Sequence, residues 1–184
     1  MDIKINFENF SVNTDAPILY KMMMDLDDQY LFLNKIKINN DIEFERWIVE
    51  QSRSFFHDFY IIKHEDNVIG FVYSYNFRPL DGHCKICTYI DKKYRNKGIG
   101  GVVAIRFIHF LFRDYPLRKI LLEVYNYNNQ SLLSNLKAGF TEEGCIKEYR
   151  YYNGEYHSLH ILSIDRRTFY QKLVHYGGID CGTL

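Results

Sequence analysis

The chain has 184 residues, enough for one domain with its own core. Lysine plus arginine number 23 and aspartate plus glutamate 23, so the formal net charge is zero, which argues against nucleic acid or an anionic membrane surface as a partner. No apolar run nears the ~20 residues of a spanning helix. The opening residues carry Asp2, Lys4 and Glu8 in place of an apolar leader, so a cytoplasmic protein without membrane contact is expected.

The 16 tyrosines and 14 phenylalanines suit a half-buried sheet and a filled core, with an aromatic-lined substrate cleft as the other reading. Pro17, Pro79 and Pro116 are scattered, and no repeat or Pro/Gly/Ser-rich linker interrupts the chain. One domain over 1–184 is therefore expected. Cys84, Cys87, Cys145 and Cys181 are read as reduced thiols. Cys84-Lys85-Ile86-Cys87 has no second CxxC to complete a zinc site, and on a strand its thiols face opposite sides, so no metal is expected. The same geometry separates His157 from His160.

Residues 3–12 alternate loosely and predict a strand. Residues 15–33 carry Ile18, Met22 and Leu26 at helical spacing. Asn40-Asp41-Ile42-Glu43 resembles a capping box that opens a helix with Phe44, Trp47 and Ile48 on one face. Residues 55–64 and 68–75 read as strands joined by a turn at Glu65-Asp66-Asn67. Residues 83–90 form the next strand. Residues 98–112 predict a helix with Val102, Ile105, Ile108, His109 and Phe112 along one buried stripe, stopped by Pro116. Residues 119–124 are a short continuous apolar run, the mark of a buried strand. Asn128-Asn129-Gln130-Ser131 starts a helix to about residue 137, capped by Gly139. Residues 140–152 and 155–164 flank Asn153-Gly154, a strong hairpin signal. A short helix and a loose end follow from residue 168. The order is β-α-α-β-β-β-α-β-α-β-β, a mixed α/β chain.

The stretch Arg95-Asn96-Lys97-Gly98-Ile99-Gly100-Gly101 joins a predicted strand to a predicted helix. A glycine-rich turn opening a helix is a place to hold phosphate, because first-turn amides lack internal partners and the helix dipole is positive there. Lys92, Lys93, Arg95 and Lys97 add full charge beside it. The other reading is a basic surface turn that needs glycine for its geometry. The glycine order does not fit a GxGxxG dinucleotide fingerprint, and no Gly-Lys-Ser/Thr makes it a P-loop.

Arg95-x-x-Gly98-x-Gly100 resembles the acetyl-CoA pyrophosphate motif of the GNAT family of N-acetyltransferases. Leu122-Glu123-Val124, Asn128-x-x-Ser131 and Lys137-Ala138-Gly139-Phe140 are similar to the family's second signature, in order and at its spacing. The ending, Glu143-Gly144 and then Asn153-Gly154-Glu155-Tyr156-His157, looks most like the branch of ribosomal-protein alanine and polyamine acetyltransferases. The resemblance is clear over 68–164 and faint before it. It implies a GNAT fold: a central, mostly antiparallel twisted sheet flanked by helices and splayed between the fourth and fifth strands, where the cofactor enters. It implies an acetyl-CoA-dependent N-acetyltransferase that moves acetyl directly to a primary amine of a small molecule, a polyamine or a protein N-terminus, with no metal.

The roles implied by the resemblance fall on particular residues. Amides of Arg95, Asn96, Lys97, Gly98, Ile99, Gly100 and Gly101 would hold the pyrophosphate. Main chain of Tyr89, Ile90 and Asp91 would pair with the pantetheine like an added strand. Asn128 and Ser131 would face the cofactor from their helix start, although Asn128 also reads as a plain N-cap. Glu123 stands where some family members carry a general base, and its other reading is an ordinary strand residue. His83 and Asp81 are rival bases, His83 having the natural pKa for the work. Many family members carry a tyrosine acid at the position of Asn135, and asparagine cannot fill that role. Tyr125, Tyr127 or Ser131 would substitute, or the thiolate would leave unaided. Asp25, Asp27 and Asp28 would favour a polycationic acceptor if they lined a cleft. Sheet edges and the glycine-containing tail leave a homodimer open. Two other classes stand beside the transferase: a non-catalytic acyl-CoA-binding regulatory module, and a small structural protein that uses the glycine turn for geometry alone.

Overall fold

The structure is a computed structural model that describes residues 4–25 and 38–175. Its strands are β1 (Ile5–Asn9), β2 (Phe56–His64), β3 (Asn67–Arg78), β4 (His83–Ile90), β5 (Lys119–Tyr125), β6 (Thr141–Tyr152) and β7 (Glu155–Asp165). Its helices are α1 (Val12–Met23), α2 (Asp41–Ser54), α3 (Ile99–Asp114), α4 (Asn129–Lys137) and α5 (Arg166–His175), with a 3-10 turn at Lys92–Tyr94. The strands make one seven-stranded sheet in the order β1-β2-β3-β4-β5-β7-β6. The sheet is mostly antiparallel, and β4 pairs β5 in parallel. That parallel ladder runs only from His83↔Lys119 to Lys85↔Leu121. A short ladder at this place agrees with the expected splay of the fourth and fifth strands.

By their contacts the residues gather into two compact units. One holds the described residues up to Asn76 with Cys87–Phe107, the other Phe77–Ile86 with the residues from Ile108 onward. In the first unit, Ala16, Leu19, Met22, Phe44, Ile48, Ile61, Phe71, Tyr73 and Tyr89 form one buried cluster. Its rings stack along the strands: Phe59 on Phe71, Phe71 on Tyr73, and Phe71 on Tyr89. Much of the aromatic content is thus core, and each such pair adds about 0.5–1.5 kcal/mol beyond its buried area. In the second unit, Leu117, Ile120, Leu162, Ile164 and Phe140 are buried, and Phe112 packs on Phe169 of α5.

The helix ends follow their sequence signals with two adjustments. Asn40 caps α2, its Oδ1 accepting from Glu43 N at 2.9 Å, but the Glu43 carboxylate returns to Asn39 N rather than to Asn40 N. α1 begins at Val12, ahead of the expected residue 15, because the Asp15 carboxylate reaches back to Ser11 N at 2.7 Å and holds the first turn from inside the helix. α1 ends at Met23, with Met24 as its C-cap and Asp25 outside the helix, short of the expected residue 33; residues 26–37 lie outside the described residues. α4 ends with the paired bonds of a Schellman motif, Phe140 N to Asn135 O and Gly139 N to Leu136 O. The β6–β7 hairpin turns on Asn153 and Gly154, both at positive φ, as a primed turn needs.

The buried line of α3 differs from the expected one. Val103, Phe107, Leu111, Ile108 and Phe112 are buried, whereas Val102, Ile105 and His109 are half-buried. This helix is apolar on more than one side, so periodicity alone chose the stripe one residue away.

Candidate active site

The first unit carries the glycine turn at the end of β4. Asp91 N donates to Ile69 O at 2.8 Å, anchoring the strand end on β3. The Asp91 carboxylate then accepts from Lys93 N at 2.8 Å and starts the 3-10 turn. Arg95 folds back: its Nε donates to Ile90 O at 2.8 Å and its guanidinium lies over the Tyr89 ring, 5.4 Å from the centroid. The arginine side chain therefore fixes the turn, while its backbone enters it. Asn96 (φ +62) and Gly98 (φ +78) take left-handed conformations, which asparagine tolerates and glycine adopts freely. Gly101 N and Val102 N donate to Gly98 O, closing the first turn of α3. Among the described residues, the amides of Gly98, Ile99 and Gly100 donate to nothing, as the start of a helix leaves them.

The glycines have separable reasons. Gly98 needs its positive φ. A Cβ on Gly100 would rest at 3.7 Å from Ile90 Cγ1, an ordinary contact. Among the described residues a Cβ on Gly101 would meet nothing within 4 Å, and its φ is not positive, so neither their packing nor the backbone requires glycine there. Lys92, Lys93 and Lys97 are exposed; Lys97 lies over the Tyr94 ring and Lys92 pairs with Asp25 at 2.8 Å. Asp25 is thereby matched by a lysine, while Asp27 and Asp28 lie outside the described residues.

One residue supporting this turn was not singled out from sequence. Gly70, in β3, faces β4 so closely that a Cβ there would come 2.1 Å from Tyr89 O and 3.1 Å from Ile90 Cα. A lone glycine inside a strand pattern is a known sign of close backbone approach.

The second unit carries the remaining residues. Glu123, on β5, pairs through Oε1 with Lys85 Nζ on β4, both side chains being largely covered. The Lys85↔Leu121 register puts the lysine beside it. Lys85 was not singled out from sequence, because only the parallel β4–β5 pairing reveals it. Tyr125 stacks on Tyr127 at 5.1 Å, and the Arg150 guanidinium lies 5.0 Å from the Tyr125 ring centroid. Burial pushes the Tyr125 hydroxyl up, with Arg150 opposing, and burial likewise raises Tyr127. Both stay protonated and able to donate at neutral pH. His83 is half-buried and its Nδ1 has no hydrogen-bond partner among the described residues; Asp81 is exposed. Asn128 caps α4, accepting from Ser131 N at 3.4 Å, while Ser131 accepts from Asn135 Nδ2 through both its carbonyl and its hydroxyl.

The family model for the acetyltransferase (GNAT) domain matches residues 12–161. The chain belongs to the GNAT family. The match sets the class of reaction, N-acetyl transfer from acetyl-CoA. This GNAT chain is 22% identical over 169 residues to an SPbeta prophage-derived uncharacterized N-acetyltransferase, YokL, of Bacillus subtilis, covering 88% of this chain and 93% of the relative. It is 26% identical to the ribosomal-protein-serine acetyltransferase of Escherichia coli over 104 residues, 56% of this chain and 58% of that protein. The spermidine N-acetyltransferase of Vibrio cholerae, solved in complex with CoA and spermine, superposes with a TM-score of 0.81 over 90% of this chain and 98% of that one, at 17% identity. In this GNAT domain the amide of Asn135 is turned back onto its own helix, so α4 presents no proton donor of the usual family kind at that position.

Proposed function

We propose that the chain is one domain, spanning both compact units, that binds acetyl-CoA and passes its acetyl group directly to a primary amine of a small molecule, a polyamine or a protein N-terminus in the cytoplasm. The family match running through both units supports the single domain. The observation that carries the reading is the first turn of α3. Gly98 supplies a left-handed corner, Gly98, Ile99 and Gly100 present amides without partners among the described residues, and Gly101 is a glycine that nothing among the described residues demands. Backbone donors and a helix dipole with no side chain over them fit a diphosphate. The main chain of Tyr89, Ile90 and Asp91 would receive the pantetheine amides, and Asn128 and Ser131 would face the cofactor from the start of α4. No metal enters this reaction.

Acetyl-CoA supplies an activated thioester; the protein supplies position and proton traffic. The amine arrives as an ammonium and must lose a proton before its lone pair can attack. Glu123 is the proposed acceptor of that proton, through water, with His83 as the rival. The leaving thiolate is met by Tyr125, whose buried hydroxyl holds its proton at neutral pH. Holding amine and carbonyl together removes much of the entropic barrier. A non-catalytic acyl-CoA-binding module is the alternative, favoured by Asn135 in place of tyrosine.

The test is at Gly101. Gly101→Ala improves helix propensity by up to about 1 kcal/mol and clashes with nothing among the described residues. Gly101→Leu is expected to keep the melting temperature at or above that of the parent while weakening acetyl-CoA binding roughly 10–100-fold, the equivalent of 1–3 kcal/mol of overpacking against the diphosphate. Calorimetric titration reads this directly. Unchanged affinity in Gly101→Leu would remove the pyrophosphate from this turn.

A further inference from the structure

The face of the β6–β7 hairpin carries a group of side chains that the transferase reading does not use. Cys145 on β6 is the direct cross-strand partner of His160 on β7. Glu142 also lies on β6. On a regular strand, residues 142 and 145 would face opposite sides. The ladder is irregular here: Glu142 pairs with Leu162 but Gly144 pairs with Ile161, so one extra residue, Glu143, is accommodated in a bulge. Leu162 and His160 share a face of β7, and the bulge therefore brings Glu142 and Cys145 onto that same face. Glu123 pairs with Ile161, on the opposite face of β7, so this group stands apart from the proposed base.

One ligating atom from each of Glu142, Cys145 and His160 lies within 4.8 Å of the others. His160 Nδ1 is already turned to Glu142 Oε1 at 3.0 Å. Tetrahedral zinc with bonds of 2.0–2.3 Å sets its ligand atoms about 3.3–3.8 Å apart. Small rotations of exposed side chains reach that spacing, since Glu142 and Cys145 are exposed and His160 is half-buried. The donor set is one sulfur, one imidazole nitrogen and one carboxylate oxygen. Thiolate with imidazole selects a borderline-soft ion rather than magnesium or calcium, and three protein ligands leave a fourth position to water.

We propose that Glu142, Cys145 and His160 form a zinc-class divalent-metal site on the β6–β7 hairpin, separate from acetyl transfer. Bound there, the ion would tie the outer strand β6 to β7. Ligation requires the Cys145 thiolate, so binding releases a proton and weakens as pH falls.

The experiment uses the full chain without an affinity tag, kept reduced with a phosphine, and zinc and cobalt as probes. The expected result is one equivalent of zinc bound per chain, a raised melting temperature, protection of one thiol from an aromatic disulfide reagent, and a cobalt spectrum with a thiolate charge-transfer band and intense tetrahedral d–d bands. Cys145→Ser and His160→Gln should each weaken zinc binding at least 10-fold and abolish the charge-transfer band or the tetrahedral bands, and Glu142→Gln should weaken binding less. Circular dichroism on each variant separates loss of the site from loss of the fold; should His160→Gln fail to fold, the exposed Cys145→Ser carries the decision alone. Less than one equivalent of zinc on the parent chain, or zinc binding and cobalt spectra unchanged in Cys145→Ser, would overturn the proposal.

Discussion

Gly70→Ala should destabilise the protein by about 3 kcal/mol, which for a chain of this size lowers the melting temperature by roughly 6–12 °C. The reason is a distance. The added methyl would stand 2.1 Å from Tyr89 O, a main-chain atom that cannot rotate away, and 3.1 Å from Ile90 Cα. Relief requires β4 to move from β3 just where Asp91 N bonds Ile69 O and Arg95 bonds Ile90 O. Tyr89–Asp91 is also the main chain proposed to receive the pantetheine, so acetyl-CoA affinity should fall along with stability. A control at Gly144, where a Cβ would meet nothing within 4 Å, should cost far less. Thermal unfolding of Gly70→Ala and Gly144→Ala side by side reads both. A parent-like melting temperature in Gly70→Ala would mean that the two strands do not approach as described.

Glu123→Gln is expected to lower kcat by about 10²-fold or more with little change in acetyl-CoA affinity, the range seen when a general base is removed. The amide keeps the shape and loses the proton acceptor. The low-pH limb of the kcat/KM profile, which reports a base giving up its proton, should vanish with it. The pairing with Lys85 predicts a second, separable effect. Glutamine leaves the half-buried ammonium without its counter-charge, and the side chains are covered enough for that to cost stability. Lys85→Met in the Glu123→Gln background should restore the melting temperature and leave kcat low. If kcat recovers with stability, Glu123 is a strand residue that holds Lys85, and His83 becomes the base to test.

The elements were legible because most obey one period and carry explicit stops. Asn153-Gly154, Pro116 and the Asn128 cap set their boundaries without tertiary information. The stripe of α3 was not, since a helix apolar on several sides has no single moment to read. The glycine turn was legible as a motif, but the different reasons for Gly98 and Gly101 needed φ angles and neighbouring atoms. Gly70 leaves a signal in the sequence, a glycine inside an apolar strand, but the 2.1 Å approach to Tyr89 O that explains it is visible only in the fold. Lys85 and Glu123 are far apart in sequence and meet only through the β4–β5 register. Glu142 and Cys145 would face opposite sides of a regular strand, so their grouping with His160 needs the β6–β7 register and its bulge.

Thermal unfolding with and without acetyl-CoA decides whether the turn at the start of α3 holds the cofactor. At a hundredfold excess over its dissociation constant the cofactor should add about 2.7 kcal/mol of stability. The melting temperature should rise clearly for the parent chain and less for Gly101→Leu at the same concentration. No rise in the parent at millimolar acetyl-CoA would contradict it, leaving the turn from Arg95 to Gly101 as a corner of the fold and no more.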